Sequence, residues 1–229
     1  MRYSRSIHLV GLGLLFAGTP AVAQLSGRVV ITPYAGAFLP SNDIVRENFS
    51  APGVTASVNV RHEAAFASGA NASYWVTDRF AIELGGLYSW TKIKGNGLVN
   101  EIGSGTVMGI VDNAHVLAGS AKAMFQLLPP DSPINLRFGV GPAVISRGGP
   151  AYKADADGKF SGLTDVGAAA SLCTRIPMTE FTSVRLRVED YIYQSRLRYE
   201  SPDGSNLQFG RRNQNDILLS LGLQLFVTP

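Results

Sequence analysis

Seven charged residues of both signs lie in stretches of the chain where apolar residues recur at every second position. They are Glu83, Lys122, Arg137, Arg175, Arg185, Arg187 and Glu189. A period of two indicates extended strands, so these side chains share one face while apolar residues occupy the other. Charged groups on an enclosed face are expected to pair, because an isolated buried charge is costly. The pattern therefore predicts a buried charge network, with Glu83 and Lys122 as one pair.

Candidate catalytic and metal-binding residues are few. His62 and His115 are the histidines beyond residue 23, and neither has a serine two positions later. The sequence has no G-x-S-x-G and no H-E-x-x-H motif. The run at 155–158 (DADG) resembles the start of a calcium loop without its further acidic ligands. Cys173, the single cysteine, lies among small residues, which is typical of an inert buried thiol. We predict no enzyme activity, no metal and no cofactor.

Eight stretches with this alternation could position the charged side chains. They span residues 29–39, 66–75, 80–90, 116–128, 134–145, 163–176, 183–193 and 217–227. Strands of soluble proteins usually have about 5 to 6 residues, whereas a tilted strand needs about 9 to 11 residues to cross a bilayer. The lengths therefore favour membrane-spanning strands, and no amphipathic helix is predicted among them.

The connections between these stretches alternate in length. Short ones at 76–79, 129–133 and 177–182 alternate with long ones at 40–65, 91–115, 146–162 and 194–216. Four loops of that size are unusual in a compact soluble domain. A transmembrane barrel has short turns at one end and long loops at the other, which matches this arrangement.

Alternation alone leaves open which face points inward. In 217–227 one face is wholly aliphatic, and the other holds Leu218, Ser220, Gly222, Gln224 and Phe226. A soluble barrel of lipocalin type would bury the aliphatic face. We predict the inverse, because small residues with a few opposite charges suit the narrow lumen of an eight-stranded barrel.

Aromatic residues gather near the strand ends. The predicted girdle consists of Tyr34, Tyr74, Trp75, Phe80, Tyr88, Trp90 and Tyr191. Bands of Tyr and Trp at both interfaces are expected of a transmembrane barrel, although aromatic residues can also fill a core.

The N-terminus has the pattern of a secretory signal. Arg2 and Arg5 precede an apolar run at 7–16, and an A-x-A cleavage site follows at 21–23. We predict a signal peptide at 1–23 and one barrel domain at 24–229. An exported chain with one cysteine has no internal disulfide. The net charge of +3 includes both of these arginines, so it gives no argument for nucleic-acid binding.

The stretches at 73–86, 137–152, 184–193 and 215–227 resemble the bacterial outer-membrane β-barrel domain family, with the architecture of outer-membrane protein A and X barrels. The resemblance implies an all-β fold, an eight-stranded antiparallel up-and-down transmembrane barrel in the Gram-negative outer membrane. It carries no catalytic residues. Two departures are Pro142, which predicts a bulge or an irregular outer part of its strand, and the last aromatic residue, Phe226, which falls on the lumen face.

We expect a monomeric, non-enzymatic, surface-exposed protein of the cell envelope with a largely filled lumen. Its expected partners are outer-membrane lipid, lipopolysaccharide and the barrel assembly machinery. The charge network would fix the strand register, or would gate small ions if its pairs exchanged partners. Three alternatives stay open: an enzyme acting on lipid A or phospholipid, a narrow porin-like channel for small solutes, and a soluble lipocalin-type barrel.

Overall fold

A computed structural model describes residues 26–51, 54–101, 104–129, 132, 135–153, 159–179, 181–200 and 206–227. The predicted signal peptide and the DADG run at 155–158 lie outside the described residues.

Strands dominate this part of the chain. They are β1 (Val29–Pro40), β2 (Val45–Ala51), β3 (Val54–His62), β4 (Ala65–Trp75), β5 (Phe80–Glu101), β6 (Ser104–Gln126), β7 (Asn135–Gly148), β8 (Lys159–Ser161), β9 (Thr164–Pro177), β10 (Thr182–Ser195), β11 (Arg198–Glu200), β12 (Asn206–Gln208) and β13 (Arg212–Val227). One 3-10 helix spans Pro150–Tyr152. Within the described residues, no helix is long and apolar enough to cross a membrane.

Eight of these strands close into a barrel. The order around the wall is β1–β4–β5–β6–β7–β9–β10–β13, and β13 pairs back onto β1. Every neighbouring pair is antiparallel. The prediction of an all-β, eight-stranded up-and-down barrel is confirmed.

The strand register sets the width of the barrel. Following paired residues once around the wall from Val29 returns to β1 at Leu39, ten residues further along. With standard strand spacings, this stagger corresponds to a tilt of about 40° and a radius of about 8 Å. A cylinder of that radius has room for side chains but little open space.

All four predicted long loops contain further β-structure, and β8 is the strand within 146–162. The segment at 91–115 continues β5 and β6 as paired strands well beyond the barrel, so its assignment as a loop was wrong. The segment at 40–65 contains the β2–β3 hairpin, which pairs with β5. Strands β11 and β12 lie within 194–216 and form a small sheet with β8. These parts lie beyond the apolar belt, so the apolar alternation that predicts strands is missing from them.

Pro142 causes no bulge. Ser120 pairs with Ala143 and Ala123 pairs with Val140, so the β6–β7 register is the same on both sides of the proline. Pro142 itself pairs with Ala168 on β9. Strand β7 accommodates the missing backbone donor by losing pairing to β6 at this point, without inserting a residue.

The apolar face points outward, as predicted. In β13, Leu219, Leu221, Leu223 and Leu225 are 38–56% exposed, whereas the intervening residues from Leu218 to Gln224 point into the barrel. A soluble barrel of lipocalin type would bury these leucines, so that alternative is wrong.

Candidate functional site

The lumen is filled in layers between the end with short turns, here the turn end, and the end with extended strands, here the hairpin end. An aromatic and apolar layer that includes Val30, Trp75 and Met124 lies near the turn end. The charged layer follows, and then an apolar layer that includes Tyr34, Phe38 and Leu218. Polar groups and a separate apolar cluster complete the hairpin end.

Glu83 is the centre of the charged layer. Ser73 Oγ donates to its Oε2 at 2.9 Å, and Arg185 Nη1 donates to the same oxygen at 2.6 Å. Arg187 Nη2 donates to Oε1, and Lys122 Nζ lies 3.4 Å from that atom. Lys122 is the direct cross-strand partner of Glu83, which is the pairing that the sequence predicts.

Glu189 is the second carboxylate of the layer. Lys122 Nζ lies 2.6 Å from its Oε1, and Arg187 Nη1 donates to its Oε2 at 2.7 Å. Arg187 and Lys122 therefore each bridge both carboxylates. All five charged side chains are almost completely buried, so their attraction is little screened by solvent.

These contacts cross the full width of the barrel. Glu83 is on β5, whereas Arg185 and Arg187 are on β10, which is four strands away in either direction around the wall. The two strands therefore face each other, and the bonds between them occupy the lumen axis. Arg187 also donates to Asn71 on β4 at 3.0 Å, which ties a third part of the wall to the layer.

Two residues predicted for this network lie apart from its carboxylates. Arg137 Nε donates to Asn135 Oδ1 at 2.8 Å and to Gln126 Oε1 at 3.2 Å. Arg175 lies with its guanidinium carbon 5.5 Å from the centre of the Phe226 ring. Both arginines project into the turn end of the lumen, and among the described residues neither forms an ion pair.

Of the charged residues in a second polar cluster nearer the hairpin end, the sequence predicts only Asp165, whose parity within 163–176 is that of the lumen face. Arg147 pairs with Asp165, and Tyr193 Oη donates to Asp216 Oδ2 at 2.6 Å. Arg147 also lies over the Tyr193 ring, at 5.4 Å. Arg147 and Asp216 fall just outside the predicted strands 134–145 and 217–227. Continuing the alternation by two residues would have placed both side chains on the lumen face.

The predicted aromatic girdle divides into two sets. Tyr74 and Trp90 are exposed on the outer surface, and Phe80 and Tyr88 are partly exposed there. Trp90 stacks with Phe66 at the hairpin end of the apolar belt, and Phe80 contacts Phe125 near the turn end.

Tyr34, Trp75 and Tyr191 are buried inside the barrel, so their place in the outer girdle is corrected. Each has the strand parity of the lumen face, and parity decides the direction of a side chain whatever its distance from the strand end. Tyr34 Oη donates to the backbone oxygen of Gly86 at 2.9 Å, so its polar end has a partner within the barrel wall.

The two histidines contact aromatic side chains, and none of these contacts pairs a histidine with a serine or a carboxylate. His62 Nε2 lies 2.9 Å from Tyr152 Oη at the hairpin end, beyond the apolar belt. Burial, and to a smaller extent the nearby Arg147 charge, lowers the pKa of His62 to about 3. His115 stacks on Tyr88 with ring centres 5.6 Å apart.

Cys173 is a buried free thiol whose sulfur accepts a hydrogen bond from Arg185 Nη2 at 3.1 Å. Within the described part of the chain, no group of three or more His, Cys, Asp or Glu side chains could hold a metal ion.

The solved structures that share this fold include two outer membrane proteins. Outer membrane protein OprG from Pseudomonas aeruginosa has a TM-score of 0.57 at 13% identity, over 91% of this chain and 99% of that one. Outer membrane protein AlkL, solved in DMPC lipid bilayers, has a TM-score of 0.58 at 12% identity, over 100% of this chain and 98% of that one. No protein-family model and no curated protein matches the chain. At this identity the likeness shows the fold, which is that of outer-membrane β-barrels.

Proposed function

We propose that this protein is a non-enzymatic outer-membrane barrel whose lumen is closed by the charge network and which holds a β-structured extension at the cell surface. The observation that carries the proposal is the set of bonds from Glu83 to Arg185 and Arg187 across the barrel. Because the barrel wall is only about 8 Å in radius, side chains that meet at its axis leave no wide aqueous path.

The outer surface supports a membrane location. Its belt of exposed leucine, valine and phenylalanine side chains would be covered by lipid tails. Both solved structures with this fold carry the name of outer-membrane protein. The chain would be exported by the signal at 1–23, inserted by the barrel assembly machinery and surrounded by lipid and lipopolysaccharide. The turn end would then face the periplasm.

The extension would be the surface-exposed part. It consists of the β2–β3 hairpin, the far ends of β5 and β6, and the small β8–β11–β12 sheet. A core of its own, which includes Ile44, Ile93, Tyr152 and Leu197, holds these elements together. An extension with its own core, standing on packed layers of the lumen, suits a rigid surface scaffold on a monomeric barrel.

The contacts of the two histidines favour this proposal over a lipid-modifying enzyme. A base in acyl transfer needs to reach a nucleophile, whereas His62 contacts a tyrosine and His115 stacks on an aromatic ring. Incubation of the folded protein with lipid A and phospholipid should therefore give no product by mass spectrometry.

The test of the closed lumen is conductance in a planar lipid bilayer. Folded wild-type protein should insert without regular conductance steps. Glu83→Ala removes the carboxylate that three cations share and should produce steps, whereas Ser73→Ala, which leaves those ion pairs in place, should stay silent. Regular steps from the wild-type protein would contradict the proposal and support a small-solute channel.

A further inference from the structure

The half of the lumen toward the turn end carries an excess of positive charge. Its described side chains include five cations, Lys122, Arg137, Arg175, Arg185 and Arg187, against two carboxylates, Glu83 and Glu189. Both carboxylates are already paired with the three cations of the charged layer. Among the described residues, Arg137 and Arg175 are therefore left without an anion, and buried cations normally have one.

Arg137 is held in one orientation with donor capacity to spare. Its side chain is 2% exposed, and its Nε is engaged by Asn135 and Gln126. Its guanidinium carbon lies 4.3 Å from the centre of the Trp75 ring, which reaches across the lumen from β4. The Nη2 group has no hydrogen-bond partner among the described residues. A planar guanidinium fixed on one edge and stacked on one face presents its remaining N–H groups in a defined direction.

The neighbours of Arg137 add further buried donors that have no partner among the described residues. Gln126 uses its oxygen to accept from Arg137, which leaves its buried Nε2 unpartnered. The indole Nε1 of Trp75 and the Nε of Arg175 are also buried, and neither has a partner within the described part of the chain. Four unpartnered donors in one layer of a narrow barrel need an acceptor, because an unsatisfied buried donor is costly.

Arg175 completes the positive patch. Arg137 pairs with Cys173 on β9, so Arg175 is its diagonal neighbour on the same face, at a Cα separation of about 7–8 Å. Arg175 is only partly buried and lies opposite Asn135, near the turn that leads into β7. It therefore extends the patch toward the turn end of the barrel.

We propose that Arg137, Arg175 and Gln126, with Trp75 beneath them, form a binding site for a phosphate-type oxyanion at the turn end of the lumen. Guanidinium groups bind phosphate with parallel N–H donors, and the amide of Gln126 and the indole of Trp75 supply neutral donors to the same anion. The phosphate can come from free phosphate in the periplasm or from a phospholipid headgroup at the barrel mouth. Both present the same oxygen acceptors to this site.

The chain carries its own reporter for this site. It has two tryptophans, Trp75 in the site and Trp90 on the outer surface near the hairpin end. Trp90→Phe therefore leaves Trp75 as the only source of tryptophan emission. The probes are inorganic phosphate added to the protein in maltoside micelles, which contain no phosphorus, and phosphatidylglycerol added to the same micelles. Chloride at equal ionic strength controls for screening.

We expect a saturable change in Trp75 emission with phosphate, with phosphatidylglycerol, or with both. A response to inorganic phosphate identifies a solute site, and a response to the lipid alone identifies a headgroup site. Arg137→Gln and, independently, Arg175→Gln should each weaken the response at least tenfold, while Arg79→Gln, at an exposed turn arginine of the same end, should leave it unchanged. Heat-dependent gel mobility shows that each variant is folded.

Three outcomes would overturn the proposal. One is the absence of a response to either probe, and another is an equal response to chloride. The third is a response that both folded arginine variants retain in full. None of these outcomes depends on bilayer conductance, so the site can fail while the closed lumen stands.

Discussion

Removal of the Glu83 charge should destabilise the folded barrel strongly. Glu83→Gln keeps the size of the side chain and one acceptor oxygen, but leaves three buried cations with a single carboxylate, Glu189. The net charge of the layer then rises from +1 to +2. Breaking a buried ion pair by removing one partner costs about 3–5 kcal/mol, and we expect a loss of that size in the free energy of unfolding.

The assay is urea unfolding of the protein in lipid vesicles, followed by tryptophan fluorescence. Ser73→Ala is the matched control, because it removes a neutral donor to the same carboxylate, and it should cost about 1–3 kcal/mol. Arg185→Gln combined with Glu83→Gln restores the original net charge. The double variant should therefore lose less than the two single losses together, with a coupling energy of at least about 1 kcal/mol. A Glu83→Gln protein within about 1 kcal/mol of wild type, or a coupling energy of zero, would refute the reasoning.

Three further predictions concern other parts of the molecule. Burial lowers the pKa of His62 to about 3, below the value of about 6.5 that a histidine has in the unfolded chain. The contribution of neutral His62 to the free energy of unfolding is therefore complete above about pH 6.5 and is lost as the pH falls toward 3. Hydrogen exchange should show the extension losing about 2 kcal/mol at pH 5, and His62→Phe should remove that pH dependence. Leu221→Arg, on the lipid-facing surface, should lower the free energy of unfolding in vesicles by about 2–4 kcal/mol. Val111→Arg, similarly exposed but beyond the apolar belt, should lower it by about 0–1 kcal/mol. Equal losses in the two variants would contradict the membrane orientation. Gly69→Ala would bring its Cβ against the Gly86 carbonyl oxygen and the Tyr34 ring and should cost about 1–3 kcal/mol in urea unfolding, whereas Gly86→Ala meets no atom within 4 Å and should be neutral.

The barrel could be predicted from the sequence because the alternation that identifies its strands arises within each strand. Each wall residue faces either lipid or lumen, and the period of two follows directly from strand geometry. Strand 183–193 was expected and β10 spans Thr182–Ser195, a difference of one or two residues at each end. The extension lacks this apolar alternation because neither of its faces meets lipid. Its strands are therefore predicted as loops.

The candidate site could be predicted only in part. The direct Glu83–Lys122 pair follows from the register of adjacent strands, but the bonds from Glu83 to Arg185 and Arg187 depend on barrel closure, which brings distant strands face to face. Tyr34 and Trp75 were assigned to the outer girdle by their nearness to strand ends. Parity along β1 and β4 would have placed them inside, where Tyr34 bonds to β5 and Trp75 contacts Arg137 on β7.

Gel mobility of the outer-membrane fraction in detergent, boiled against unboiled, tests the central claim of a closed barrel with its apolar face outward. Closed membrane barrels resist unfolding in detergent, so the unboiled protein should migrate differently from the boiled protein. A protein found in the soluble periplasmic fraction, with the same mobility before and after boiling, would contradict the account.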